Sequence, residues 1–176
     1  MAKGAVARGL ELATLVRKKC PRHYGLMLSR PYNAATDRNR SDTYTSTFQQ
    51  QQIVPGTMSW YFSQNGDITP ERMIPVPFRC PLKAHERTIT VRLRSCDQKE
   101  PPQYYDPAVV KTVCDIAVDL RHVELSRYAQ RTVRGQTIYQ VELILEMLLG
   151  PRYGLLVFRV RLGEHVVGHA SVPLIN

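Results

Sequence analysis

Apolar and polar residues alternate with a period of two along most of this chain, the pattern of half-buried strands whose successive side chains point to opposite faces. The clearest run is 87 to 94, where Ile89, Val91 and Leu93 share one face and Thr88, Thr90, Arg92 and Arg94 share the other. Residues 113 to 120 repeat it, with Cys114, Ile116, Val118 and Leu120 set against Asp115 and Asp119. Between 137 and 149, Tyr139, Val141, Leu143, Leu145 and Met147 fall on one side. VELILEMLL within that run also has helical propensity, but Gly135 before it and Gly150-Pro151 after it favour one long strand. Residues 154 to 162 and 165 to 173 read as two closing strands joined through Gly163-Glu164. Upstream, His23 to Leu28 is a short strand closed by Arg30-Pro31. Thr57 to Ser63 ends at the turn dipeptide Asn65-Gly66, and Met73 to Cys80 carries Pro75 and Pro77, which favour an edge or a bulge.

Three stretches depart from this pattern. Residues 2 to 16 hold good helix formers with Val6, Leu10, Leu12 and Val16 apolar, and predict a short helix in spite of Gly4 and Gly9. Residues 33 to 47 are rich in Thr, Ser, Asn and Asp and predict a long, mobile surface loop. Residues 96 to 107 contain Pro101-Pro102 and several charges, which resist both helix and sheet. The expected fold is therefore mainly β: an antiparallel β-sandwich of about seven to eight strands preceded by one short N-terminal helix. The helix and a connecting linker occupy residues 1 to 20, and the sandwich domain occupies 21 to 176.

A net charge of +9 and a pI near 9.7 can attract nucleic acid without sequence preference. The arginines are spread over strands, at Arg87, Arg92, Arg94, Arg159 and Arg161, as on solvated strand faces. A basic, β-rich nucleic-acid-binding module is therefore the second reading and not the first. The four cysteines, Cys20, Cys80, Cys96 and Cys114, stand singly and without zinc-ligand spacing, so reduced thiols in a cytoplasmic protein are expected. The absence of a signal-peptide pattern, and of any run of about 18 uncharged apolar residues, argues against a membrane or secreted chain.

The chain offers no home for catalysis. It lacks a phosphate loop, a G-x-G-x-x-G turn, H-E-x-x-H and G-x-S-x-G. No enzyme activity, cofactor or metal is expected. His165 and His169 have a spacing that suits a metal on a helix, but on a strand they stand about 13 Å apart at roughly 3.3 Å per residue, too far for one ion. Asp115 and Asp119 are separated in the same way, and read as a solvated strand face. Tyr104-Tyr105 beside Pro101-Pro102 could stack a base or anchor a peptide, but reads first as a loop packing its own rings. Trp60, Tyr61 and Phe62 alternate across a strand, so at least one ring faces away from the others, with core packing of two as the default.

The opening AKGAVARGLELATLVRKK, followed by RHYGL, resembles the junction between the two halves of DnaK-type heat-shock chaperones, in particular their divergent branch. Ala5-Val6-Ala7-Arg8-Gly9 would match the last helix of the ATPase domain, and Tyr24-Gly25-Leu26 the first strand of the peptide-binding sandwich. The likeness continues through the Trp60 strand, NGDITPE, VPFRC, RTITVRLRSCDQKEPP, VCDIAVDL and GLLVFRV. The resemblance implies a chaperone-like, non-catalytic protein that binds unfolded or extended apolar polypeptide in a cleft at one end of the sandwich. The positions that match the family's cleft are Leu26, Leu28, Phe78, Ile89 and Val91, residues whose alternation on strands equally suits a core. Residues 1 to 20 would then be the remnant helix of an ATPase domain plus a linker, with Leu15-Val16-Arg17-Lys18-Lys19 in place of the family's apolar and acidic one. Phosphate-binding loops and a helical lid are absent from the sequence, so ATP would require an upstream domain, a possible partner in a full-length parent. A non-functional fragment of a longer chaperone is the remaining alternative, and predicts an uncovered apolar face on helix 2 to 16.

Overall fold

A computed structural model of the chain describes residues 18 to 68, 73 to 149 and 154 to 173. The expected helix 2 to 16 lies outside the described residues. The strands are β1 (Lys18–Lys19), β2 (His23–Pro31), β3 (Tyr44–Thr45), β4 (Gln52–Phe62), β5 (Asp67–Ile68), β6 (Ile74–Lys83), β7 (Thr88–Cys96), β8 (Lys111–Asp119), β9 (Ala129–Val133), β10 (Gln136–Leu149), β11 (Leu155–Leu162) and β12 (His165–Pro173), with one 3₁₀ turn at Leu125–Arg127. All strand pairings among the described residues are antiparallel. The protein is mainly β, as its alternation implies.

Five strands form one sheet in the order β3-β4-β2-β7-β8. A second runs β12-β11-β10-β6, with β9 beside the first half of β10, and among the described residues β1 pairs only with β5. The inward positions of both sheets meet in one apolar core. Leu26, Val91, Leu93, Ile116 and Val118 come from the first sheet; Val76, Leu82, Val141, Leu143, Leu145, Met147 and Phe158 come from the second. The run 136 to 149 is a single strand of 14 residues, and its odd positions from Val141 to Met147 are fully buried. Ladder pairing with β6 on one side and β11 on the other settles the contest with a helix, overriding the helical propensity of its Leu and Met residues. Where the sheets approach at β8 and β12, Gly168 is obligatory, because a Cβ there would stand 2.7 Å from the Ala117 carbonyl oxygen.

The strand count exceeds the expected seven to eight, for a physical reason. The extra members β1, β3 and β5 have two residues each, and β9 has five, too short to show a period. β9 closes a hairpin with β10 through Arg134 and Gly135, at φ 49° and 75°, the left-handed pair a tight hairpin turn requires. β2 runs on to Pro31, and β4 begins at Gln52, five residues before its expected start, through Pro55 and the left-handed Gly56 at φ 66°. Pro75, Pro77 and Pro81 lie on β6, the edge of its sheet, and share one parity against β10. Their missing N–H groups therefore all fall on the unpartnered side of the strand.

Candidate functional site

The site arises where two adjacent strands separate. β2 pairs with β7 from His23↔Cys96 to Leu26↔Leu93 and no further, although β2 continues to Pro31 and β7 begins at Thr88. Past Leu26, β2 follows β4, with a register shift between Leu28 and Arg30. β7 keeps to β8, with a shift between Leu93 and Arg94. Such irregularities bend a strand and increase its twist, and here they fork the sheet. Among the described residues, each prong keeps one edge without a partner strand.

Beneath the fork lies a cavity of about 390 Å³. Leu26 and Leu28 line it from β2, Ile89 and Val91 from β7, and Phe78 and Cys80 from β6 of the opposite sheet. All five residues singled out by the resemblance thus surround one space. Leu26 and Val91 are also core residues, 2% and 6% exposed, whereas Leu28, Phe78 and Ile89 are half-buried and offer apolar surface to an occupant. A second cavity of about 700 Å³ shares Met27, Leu28 and Phe78 with the first and extends beneath the β3–β4 hairpin, past Tyr44, Phe48 and Ile53. Both volumes fall in the range of ligand-binding clefts, roughly 300–1,000 Å³. Met27 and Tyr44, two of the four large apolar side chains exposed among the described residues, border this groove. The hairpin is held over it by Arg131 of β9, whose Nη1 donates to the Phe48 carbonyl oxygen at 2.6 Å.

The outer side of the fork is polar. Arg92 makes a two-toothed pair with Asp115 at 2.6 and 2.8 Å, which holds the Asp115 carboxyl below its ordinary pKa. Arg94 also lines the cavity. Its placement corrects the expectation of a solvated strand face: it is only 7% exposed, donates from Nη1 to the Thr112 hydroxyl at 2.6 Å and lies 4.7 Å from the centre of the Tyr105 ring. Periodicity places Arg94 opposite Leu93, but it is the 97 to 110 loop lying over that face that buries it. Met27, Cys80 and Arg94 carried no signal in the sequence that would have joined them to the site.

Two loops brace the fork, and a buried carboxylate ties them. Asp37 accepts from Arg30 Nη1 and Nη2 at 2.7 and 2.6 Å, from the Asn33 backbone N–H at 2.8 Å and from the Tyr104 hydroxyl at 3.2 Å. Arg40 stacks over the Tyr104 ring at 4.0 Å. The segment expected to be a mobile loop is therefore pinned, and Tyr104 is part of the pin. Trp60 is covered by the 97 to 110 loop, donating to the Pro102 carbonyl at 2.9 Å, while Phe62 enters the core and Tyr61 packs against it.

The cavity's one thiol has little nucleophilic character, because burial, with Glu86 adding to it, pushes the Cys80 pKa up and the thiolate is the reactive form. His165 and His169 are both exposed on β12. Among the described residues no three His, Cys, Asp or Glu side chains gather to hold a metal, and no helix is long and apolar enough to cross a membrane. Compared with protein-family models, curated proteins and solved structures, the chain matches none.

Proposed function

We propose that this chain is a non-catalytic module that binds extended, apolar polypeptide segments in the fork between β2 and β7. One observation carries the reading: two strand edges without partners among the described residues flank an apolar cavity that gathers Leu26, Leu28, Phe78, Ile89 and Val91. A segment lying in the fork can form backbone hydrogen bonds with either prong, the way an added strand is recognised, while alternate side chains drop onto Leu28, Phe78 and Ile89. β6, whose free edge lacks three N–H donors, is a poor competitor for that segment. Two core-sharing sheets that face each other as a sandwich, together with the chain-long resemblance, make the reading chaperone-like. Nucleic-acid binding has less support. Arg22, Arg30, Arg40, Arg92, Arg121 and Arg161 each pair with a carboxylate, which disperses the basic charge.

The test is a fluorescence-anisotropy titration with a labelled, leucine-rich heptapeptide. A Kd on the order of 10 μM is expected, weakened at least about tenfold by Ile89→Asp, which places an unpaired charge on the cavity wall. Val166→Asp, on exposed β12, should leave it unchanged. Absence of binding up to millimolar peptide would refute the proposal.

A further inference from the structure

The fork has a closed end, and Arg94 stands there. β2 and β7 resume pairing at Leu26↔Leu93, and the next pair is Gly25↔Arg94. A strand lying between the prongs therefore runs out of room beside this residue. Arg94 lines the cavity at 7% exposure, yet its buried Nε has no hydrogen-bond partner. Its only side-chain acceptor among the described residues is the neutral Thr112 hydroxyl. Asp115 is near enough to feel the Arg94 charge but spends both oxygens on Arg92, and Arg94 makes no direct ion pair among the described residues. A guanidinium is a cation, and burying one without a direct anionic partner is unfavourable.

We infer that the fork takes the C-terminal end of an extended apolar chain, with the terminal carboxylate seated against Arg94. This rests on the peptide-binding reading above and narrows it to one class of ligand. An internal segment would have to turn out of the sheet at the closed end, whereas a chain terminus ends there and brings a direct anionic partner for the guanidinium. A planar carboxylate also suits the fork of an arginine side chain.

The experiment compares three labelled heptapeptides of one leucine-rich sequence: the free acid, the C-terminal amide, and an amide with glutamate at the sixth position. The free acid should bind at least about tenfold more tightly than the plain amide. Arg94→Met, which keeps the bulk, should bind acid and amide alike, and Arg94→Lys should retain part of the preference. Equal binding of acid and amide to the unaltered protein overturns the inference while leaving the peptide-binding reading in place, and needs no variant to fold. Tight binding of the glutamate-containing amide overturns it in favour of a side-chain carboxylate. No binding of any form defeats both.

Discussion

Asp37 is fully buried and faces Arg30, which reaches it with both terminal guanidinium nitrogens at 2.7 and 2.6 Å. The pair joins β2, just past the point where it leaves β7, to the polar segment that follows it. Tyr104 closes the arrangement from the far loop, accepting from Arg30 at 3.0 Å and donating to Asp37. The fork is thus braced by charge-assisted bonds on its outer side.

Removing the carboxylate leaves Arg30 without its counter-ion. Asp37→Ala should lower Tm by at least about 5 °C and expose the bond after Arg38 to trypsin. A thermal melt followed by circular dichroism, with limited proteolysis, checks both. An unchanged melt would mean that the brace contributes nothing.

The same pair sets an acid limit. Hydrogen bonds from Arg30, then from the Asn33 N–H, hold the Asp37 pKa well below the carboxylate range against the opposing effect of burial. A depressed folded-state pKa contributes stability above the unfolded value of about 3.9, lost as pH falls through the folded value. Urea midpoints should therefore be insensitive to Asp37 between pH 5 and 7, where it is ionised in both states, and should fall below about pH 4. Asp37→Asn should flatten that fall, and an equal slope in both proteins would rule Asp37 out as its source.

Cys20 sets an alkaline counterpart. Burial raises its thiol pKa from 9.0 to about 11. A raised value means stability is fully present below the unfolded pKa and declines as pH rises towards the folded one. The urea midpoint of the wild type should drop between pH 9 and 11 more steeply than that of Cys20→Ala, measured over the same range.

Glycines separate packing from backbone strain. Gly168→Ala would push a methyl group to 2.7 Å from the Ala117 carbonyl oxygen, backbone that cannot swing aside, and should cost about 1–3 kcal/mol. At Gly56 there is open space but φ is 66°, so Gly56→Ala should cost about 1 kcal/mol through the backbone alone. Denaturant unfolding of the two variants should rank them in that order.

The Arg131 to Phe48 bond predicts a kinetic effect. Arg131→Ala should free the hairpin over the larger cavity, raising amide exchange at 46 to 51 and speeding release of bound peptide several-fold, with little change in Tm. Stopped-flow dissociation of the labelled peptide reads it, and an unaltered release rate would show that the hairpin does not gate the groove.

Local pattern alone determined a good deal about this protein. The alternation at 87 to 94, 113 to 120 and 137 to 149 marked strands because a period of two is a property of neighbouring residues. Asn65-Gly66 and Gly163 marked turns because few residues tolerate the left-handed backbone seen at Asn65 and Gly163, φ 62° and 57°. Pro75 and Pro77 marked an edge or a bulge because a residue without an N–H fits only where that position needs no ladder bond. The five positions suggested by resemblance do meet around one cavity, although their apolar character was equally compatible with a core. Tertiary structure decided the rest. That β2 lies between β4 and β7, and parts from one of them after four residues, depends on bulges and on twist summed across the sheet. Burial of Arg94 depends on a loop that returns over its face, and the pairing of Asp37 with Tyr104 spans 67 residues. These features join residues far apart in the chain, and a short-range period carries no information about partners it does not contain.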